Sequence, residues 1–230
     1  MTQDVRRFFE MKVLAIDVGI VNCSYCIASS SLHCLPVLQG LHDQLSNNGI
    51  SLVKLDLVSL AANKKSPAAS NYDNVVTFML SHAEDFRTTD MVVIETQMTA
   101  KMKAIAAAFY TATKCLFPQA TVLFQSASAK LNFADLSLYS ETPAATTTYV
   151  QRKKVAVVVA KKLLSANGPF EIGQTFARAK KKDDLSDALL HALAALCIHT
   201  KPAKAKAKAK ATAKAKPHAA HSTEHCGAST

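Results

Sequence analysis

The sequence predicts an α/β fold built on a sheet of mixed strand direction, with helices flanking it. Two observations carry this. The first sixty residues hold three strand-like apolar runs with no helical periodicity between them, the pattern of antiparallel neighbours. Beyond them, helical segments alternate with short buried runs, the pattern of parallel strands joined by helices.

The first run, residues 12–19 (Lys-Val-Leu-Ala-Ile-Asp-Val-Gly), is short, β-branched and stopped by glycine. Residues 20–29 give a second strand, so close that the two form a hairpin turning at Gly19. A polar stretch over 42–49 precedes a third strand over 52–58, where Leu and Val alternate with Lys and Asp. Residues 61–70 read as a loop. Apolar residues at helical spacing (Val75, Phe78, Met79, Phe86) predict a helix over 71–86. A buried strand over 91–95, an Ala-rich helix over 104–116 halted before Pro118, and a short strand over 121–124 follow. Residues 126–149 form a polar connection. Helices are then predicted over 149–164, stopped by Asn167-Gly168-Pro169, and over 183–199.

After Lys201 the pattern collapses into alternating Ala and Lys, which offers nothing to pack and repels itself. The expected organisation is an extension over 1–10, one domain over 11–200, and a disordered basic tail over 201–230. The net charge is +10, and the tail, with seven lysines against one glutamate, holds +6 of it. Such an arm suits a polyanion. No apolar stretch approaches the ~20 residues of a bilayer span, and the first ten residues lack a secretory apolar core. An intracellular protein with no membrane partner is expected. Cys23 and Cys26 make a CxxC, but it lies in a strand-like run without a second Cys or His pair, so inert buried thiols are expected.

Acidic residues are rare in the apolar segments, so the exceptions carry information. Asp17 stands near the end of the first strand, Glu95 ends Val-Val-Ile-Glu, and Asp184 and Asp187 are three apart at the start of the last helix, on one face. Asp183 and Asp187, at i,i+4, share a face about as well. A carboxylate within so apolar a strand as that of Asp17 is costly unless paired or metal-bound. Four carboxylates with no evident buried Arg partner read as a hard-cation site for Mg²⁺. Two such ions activate a water and stabilise the leaving oxygen of a phosphodiester.

Asp in Ile-Asp-Val-Gly, Glu in Val-Ile-Glu-Thr-Gln, and Asp-x-x-Asp in Lys-Lys-Asp-Asp-Leu-Ser-Asp-Ala-Leu-Leu resemble the RuvC-type Holliday junction resolvases of the ribonuclease H-like superfamily. The resemblance is greatest to the branch encoded by poxviruses and other large DNA viruses, and covers roughly residues 11–199. It implies a ribonuclease H-like sheet and a homodimer that uses Mg²⁺, with Mn²⁺ as a substitute, to nick opposed strands of a four-way DNA junction. It implies action in DNA recombination and the resolution of replicated viral genomes, in host cytoplasm or nucleus. By its pattern Asp17, Glu95, Asp184 and Asp187 are the metal ligands, the Asp-x-x-Asp spacing favouring Asp184 over Asp183. It also places a basic residue on the helix before the last. Lys153 or Lys154 matches, with Lys154 preferred as the catalytic cation beside the scissile phosphate. Gln97 matches the Glu-x-Gln of the family and is expected to orient the substrate strand. Lys101, Lys103, Arg152, Lys153, Lys180, Lys181 and Lys182 are expected DNA contacts. A ribonuclease H or a 3′–5′ exonuclease on the same fold is the alternative enzyme. The exonuclease pattern opens with Asp-x-Glu, where this chain has Asp17-Val-Gly. A non-catalytic DNA-binding protein is the alternative from another class.

Overall fold

Strands β1 (Glu10–Asp17), β2 (Cys23–Ser31) and β3 (Ile50–Val58) form the antiparallel part of a five-stranded sheet, ordered β3-β2-β1-β4-β5. The computed structural model describes residues 10–31, 49–63, 65–132 and 148–199, all within a single compact unit. The tail and nearly all of the extension lie outside the described residues. Strands β4 (Met91–Glu95) and β5 (Thr121–Gln125) run parallel to β1. The expected hairpin is present, with Asp17 opposite Ser24. Gly19 is required at its turn, because a Cβ there would lie 1.8 Å from the Asn22 carbonyl oxygen.

The helices are α1 (Ala68–Ser81), α2 (Ala83–Phe86), α3 (Ala100–Leu116), α4 (Ala129–Asn132), α5 (Tyr149–Asn167), α6 (Phe170–Arg178) and α7 (Lys182–His199). The helix expected over 71–86 is thus two, broken at His82, whose backbone departs from helical geometry (φ −112°, ψ 15°). Helix α6 was not anticipated: Pro169 and Gly173 argue for a loop, yet Ile172 and Phe176, one helical turn apart, are buried and anchor it. Among the described residues no helix is long and apolar enough to cross a membrane.

Alternation along the strands splits the core into two layers. Leu14, Ile16, Cys23, Tyr25, Val92 and Ile94 face the side covered by α1 and α3, where Phe78 and Phe109 pack. Val13, Ala15, Cys26, Ala28 and Val93 face the other side, under α5 and α7. Cys23 and Cys26 therefore lie on opposite faces, free and buried, and burial pushes the Cys23 thiol up to about 12 and that of Cys26 higher still. They are inert packing groups, as expected. Helix α7 is buried at every position from 185 to 196 and lies chiefly against β2 and β1. A helix apolar on all sides belongs in a core. Its one acidic buried residue, Asp187, therefore calls for an explanation.

Candidate active site

Parallel pairing decides where the first two acids meet. Ile16 pairs with Ile94, so Asp17 and Glu95 stand side by side where β1 and β4 end. Both continue the odd-numbered face of their strands, the side covered by α7. The carboxyl ends of parallel strands, where a sheet changes connection, are the usual place for a ligand crevice. The first turns of α7 are tied to the same edge. Ser24, the partner of Asp17 in the hairpin, donates its hydroxyl to the Asp184 carbonyl at 2.6 Å.

The result is a cleft of about 490 Å³ lined by Asp17, Glu95, Asp184 and Asp187 together with Gln97, Lys101, Lys130 and Lys153. All four expected carboxylates are brought together. Asp184, not Asp183, lines the cleft. Asp183 instead receives Lys153 Nζ at 2.7 Å, with Asp184 Oδ1 3.7 Å from the same ammonium.

Burial sets the electrostatics. Asp17 is only 9% exposed, and desolvation, reinforced by a hydrogen bond to Glu95, raises its pKa well above the ordinary value. Burial also works against the Glu95 charge. The neighbouring His191 imidazole, the Asp17 carboxyl and the Lys130 ammonium outweigh it, so Glu95 is held well below the usual range. The two neighbouring carboxyls are thus pushed in opposite directions, Asp17 up and Glu95 down. Burial raises Asp187 and Asp184 as well, against the pull of Lys130 on the former and Lys153 on the latter. Asp187 is 4% exposed, and its Oδ1 has no hydrogen-bond partner.

Two residues of the site escaped the sequence reading or stood at its margin. Lys130 lies in the stretch read as a polar connection, but α4 turns it inward, 2.7 Å from Asp187 Oδ2 and 3.5 Å from Glu95 Oε1. No periodicity marks a four-residue helix, so nothing in the sequence signalled it. His191 is fully buried four residues beyond Asp187. Its Nδ1 is 2.7 Å from Gln125 Oε1, and its Nε2 makes a longer 3.5 Å approach to Glu95 Oε1. It braces Glu95 from behind through the end of β5.

The basic residues divide. Lys153 and Lys101 line the cleft, and Gln97 donates to Glu95 Oε2 at 3.3 Å. Lys182 folds back onto the Ala179 carbonyl at 2.9 Å. Lys103, Arg152, Lys180 and Lys181 are exposed and outside the cleft lining. Lys154 is the lysine the sequence reading preferred. It too is exposed outside the cleft, because one residue along a helix turns a side chain by about 100°. Lys153, not Lys154, faces the carboxylates. For the endonuclease activity proposed for this cleft, Lys153→Met is expected to lower phosphodiester cleavage by ~10²-fold, whereas Lys154→Met stays within about twofold. Single-turnover rates at saturating protein check this, and equal losses in both variants would contradict the placement.

Comparison with protein-family models and with characterised proteins returns no match. Solved structures do match. The yeast mitochondrial Holliday junction resolvase Ydc2 superposes with a TM-score of 0.56 at 15% identity, covering 89% of this chain and 86% of that one. Thermus thermophilus RuvC superposes with a TM-score of 0.53 at 16% identity, covering 84% of this chain and 98% of that one. At such identities the likeness establishes the fold: a ribonuclease H-like mixed sheet flanked by helices.

Proposed function

We propose that the protein is a Holliday junction resolvase, a Mg²⁺-dependent endonuclease that acts as a homodimer and places paired, symmetric nicks in four-way DNA junctions. Its proposed setting is DNA recombination and the resolution of replicated viral genomes, in host cytoplasm or nucleus. One observation carries the reading: Asp17, Glu95, Asp184 and Asp187, drawn from β1, β4 and α7, converge on one cleft flanked by lysines. The fold shared with the yeast resolvase supports it.

The residues present fit a hard divalent cation. Every acidic donor in the cleft is a carboxylate oxygen, the ligand type Mg²⁺ and Mn²⁺ prefer. Asp187 Oδ1 is buried without a hydrogen-bond partner, an acceptor that a cation would satisfy. Among the described residues no three His, Cys, Asp or Glu groups stand close enough together to hold a metal ion, so the four carboxylates would have to draw closer around one. Lys130 Nζ, between Glu95 and Asp187, takes part of that space.

When bound, two such ions supply an activated water and stabilise a leaving 3′ oxygen. Asp17, Glu95, Asp184 and Asp187 would hold them. Lys153, reaching the cleft from α5, places a positive charge where a phosphodiester gains negative charge. Lys101, tethered to the Ser66 carbonyl at 3.2 Å, guides the backbone into the cleft from α3. Gln97 and His191 keep Glu95 in one orientation.

The test presents the purified protein and Mg²⁺ with a four-way junction, a linear duplex and an RNA–DNA hybrid. Cleavage of the junction alone is expected. Cleavage of the hybrid would reassign the chain to ribonuclease H, and end-directed loss of nucleotides from the duplex to an exonuclease. Binding without any cut would leave a DNA-binding protein.

A further inference from the structure

A lysine side chain buried as deeply as that of Lys130, 11% exposed, is a costly feature that persists only when opposite charge surrounds its ammonium. Here the Asp187 and Glu95 carboxylates supply that opposite charge. The two carboxylates belong to α7 and β4, and Lys130 itself to α4, so three elements lock around one positive charge.

The geometry is lopsided in an informative way. Lys130 Nζ lies 2.7 Å from Asp187 Oδ2 and 3.5 Å from Glu95 Oε1, while Asp187 Oδ1 is buried with no hydrogen-bond partner. A single ammonium thus leaves the inward donor set partly unused. A small divalent cation between the same two acids would draw on both sides more fully.

We infer that Lys130 is a built-in competitor of the divalent cation: its ammonium and the cation contend for the same two carboxylates, Glu95 and Asp187. This rests on the metal-site reading above and deepens it. Lys130 keeps the acids from repelling one another when no cation holds them, and it weakens cation binding by having to be displaced. The site thereby loads at a higher cation concentration than its four carboxylates alone would require.

The test is direct binding of Mn²⁺ to the full chain without DNA, read from the loss of the free-ion electron paramagnetic resonance signal. Lys130→Met, which keeps the stem and removes the charge, is expected to bind Mn²⁺ about tenfold more tightly than the unaltered protein, equivalent to ~1.4 kcal/mol. It is also expected to melt at a lower temperature in EDTA and to gain more in melting temperature on adding Mg²⁺. Lys130→Arg, which keeps the charge, is expected to show no such tightening. Unchanged or weaker Mn²⁺ binding by Lys130→Met overturns the competition while leaving the metal site intact. No Mn²⁺ binding by the unaltered protein overturns the metal reading itself, and the competition with it. If Lys130→Met does not fold in EDTA, competition requires that Mn²⁺ restore its circular dichroism where NaCl of equal ionic strength does not. Failure of that rescue counts against it.

Discussion

Asp17→Asn is expected to cut junction cleavage by ~10³-fold or more and, at the same time, to raise the melting temperature of the protein in EDTA. The two effects have one cause. The Asp17 carboxyl is buried beside Glu95, and its pKa is raised by desolvation first and by that neighbour second. The folded chain therefore holds the Asp17 proton more tightly than the unfolded chain does. Stability from this group is fully present below the unfolded value of 3.8 and is lost as pH rises through the raised folded value. Asparagine has no such loss, and its amide still donates to Glu95. The variant should match the unaltered protein near pH 3.5 and exceed it increasingly toward pH 8, with each kcal/mol relieved worth about 2–4 °C. For the proposed metal site, added Mg²⁺ is expected to reverse the ranking, because the variant lacks one of the four carboxylates that would hold it. Thermal scans across pH, with and without Mg²⁺, check the prediction. A variant less stable than the unaltered protein in EDTA at pH 8 would show that Asp17 is held by structural contacts instead.

Leu189→Ala is expected to cost about 2–5 kcal/mol, a fall of roughly 5–15 °C in melting temperature. Leu189 is wholly buried on α7, one turn beyond the acidic face, among residues from both β1 and β2. Nothing on the outside of a helix buried through twelve successive positions relaxes easily to fill the space. The same packing holds Asp184 and Asp187 against Asp17, so cation affinity should fall along with stability. Val76→Ala, on the half-exposed side of α1, should change the melting temperature by about a degree or less. Equal small effects at both positions would contradict α7 as the central core helix.

The sheet was legible because burial and period coincide: Val13 to Ile16, Cys23 to Ala28 and Met91 to Ile94 are buried on both faces and read as apolar runs, broken only by Ser24. The same apolarity made Asp17 and Glu95 conspicuous, and the parallel register then brought them together without further information. The first turn of α7 was legible for the same reason, since carboxylates are foreign to a helix buried all round. What escaped detection was short or decided by a single turn. Lys130 reaches the cleft through α4, a helix of four residues with no pattern of its own. Lys153 and Lys154 are indistinguishable by charge, and only the rotation of α5 against α7 selects between them. The spacing of His191, four residues beyond Asp187, puts it at the edge of the site, but nothing in the helix discloses its partner Gln125 at the end of β5. Helix α6 was hidden by its flanking Pro169 and by Gly173, and only two of its residues, Ile172 and Phe176, are buried to anchor it.

The central claim is that this carboxylate cleft cuts DNA junctions in pairs. A supercoiled plasmid that extrudes a cruciform tests it most directly, because the first nick relaxes the plasmid and destroys the junction. Two coordinated nicks in one complex yield linear DNA, whereas independent nicks yield only nicked circles. The account predicts linear product with Mg²⁺, cut at symmetric positions across the junction, and none with Asp17→Asn. Nicked circles alone, or linear product undiminished in that variant, would contradict it.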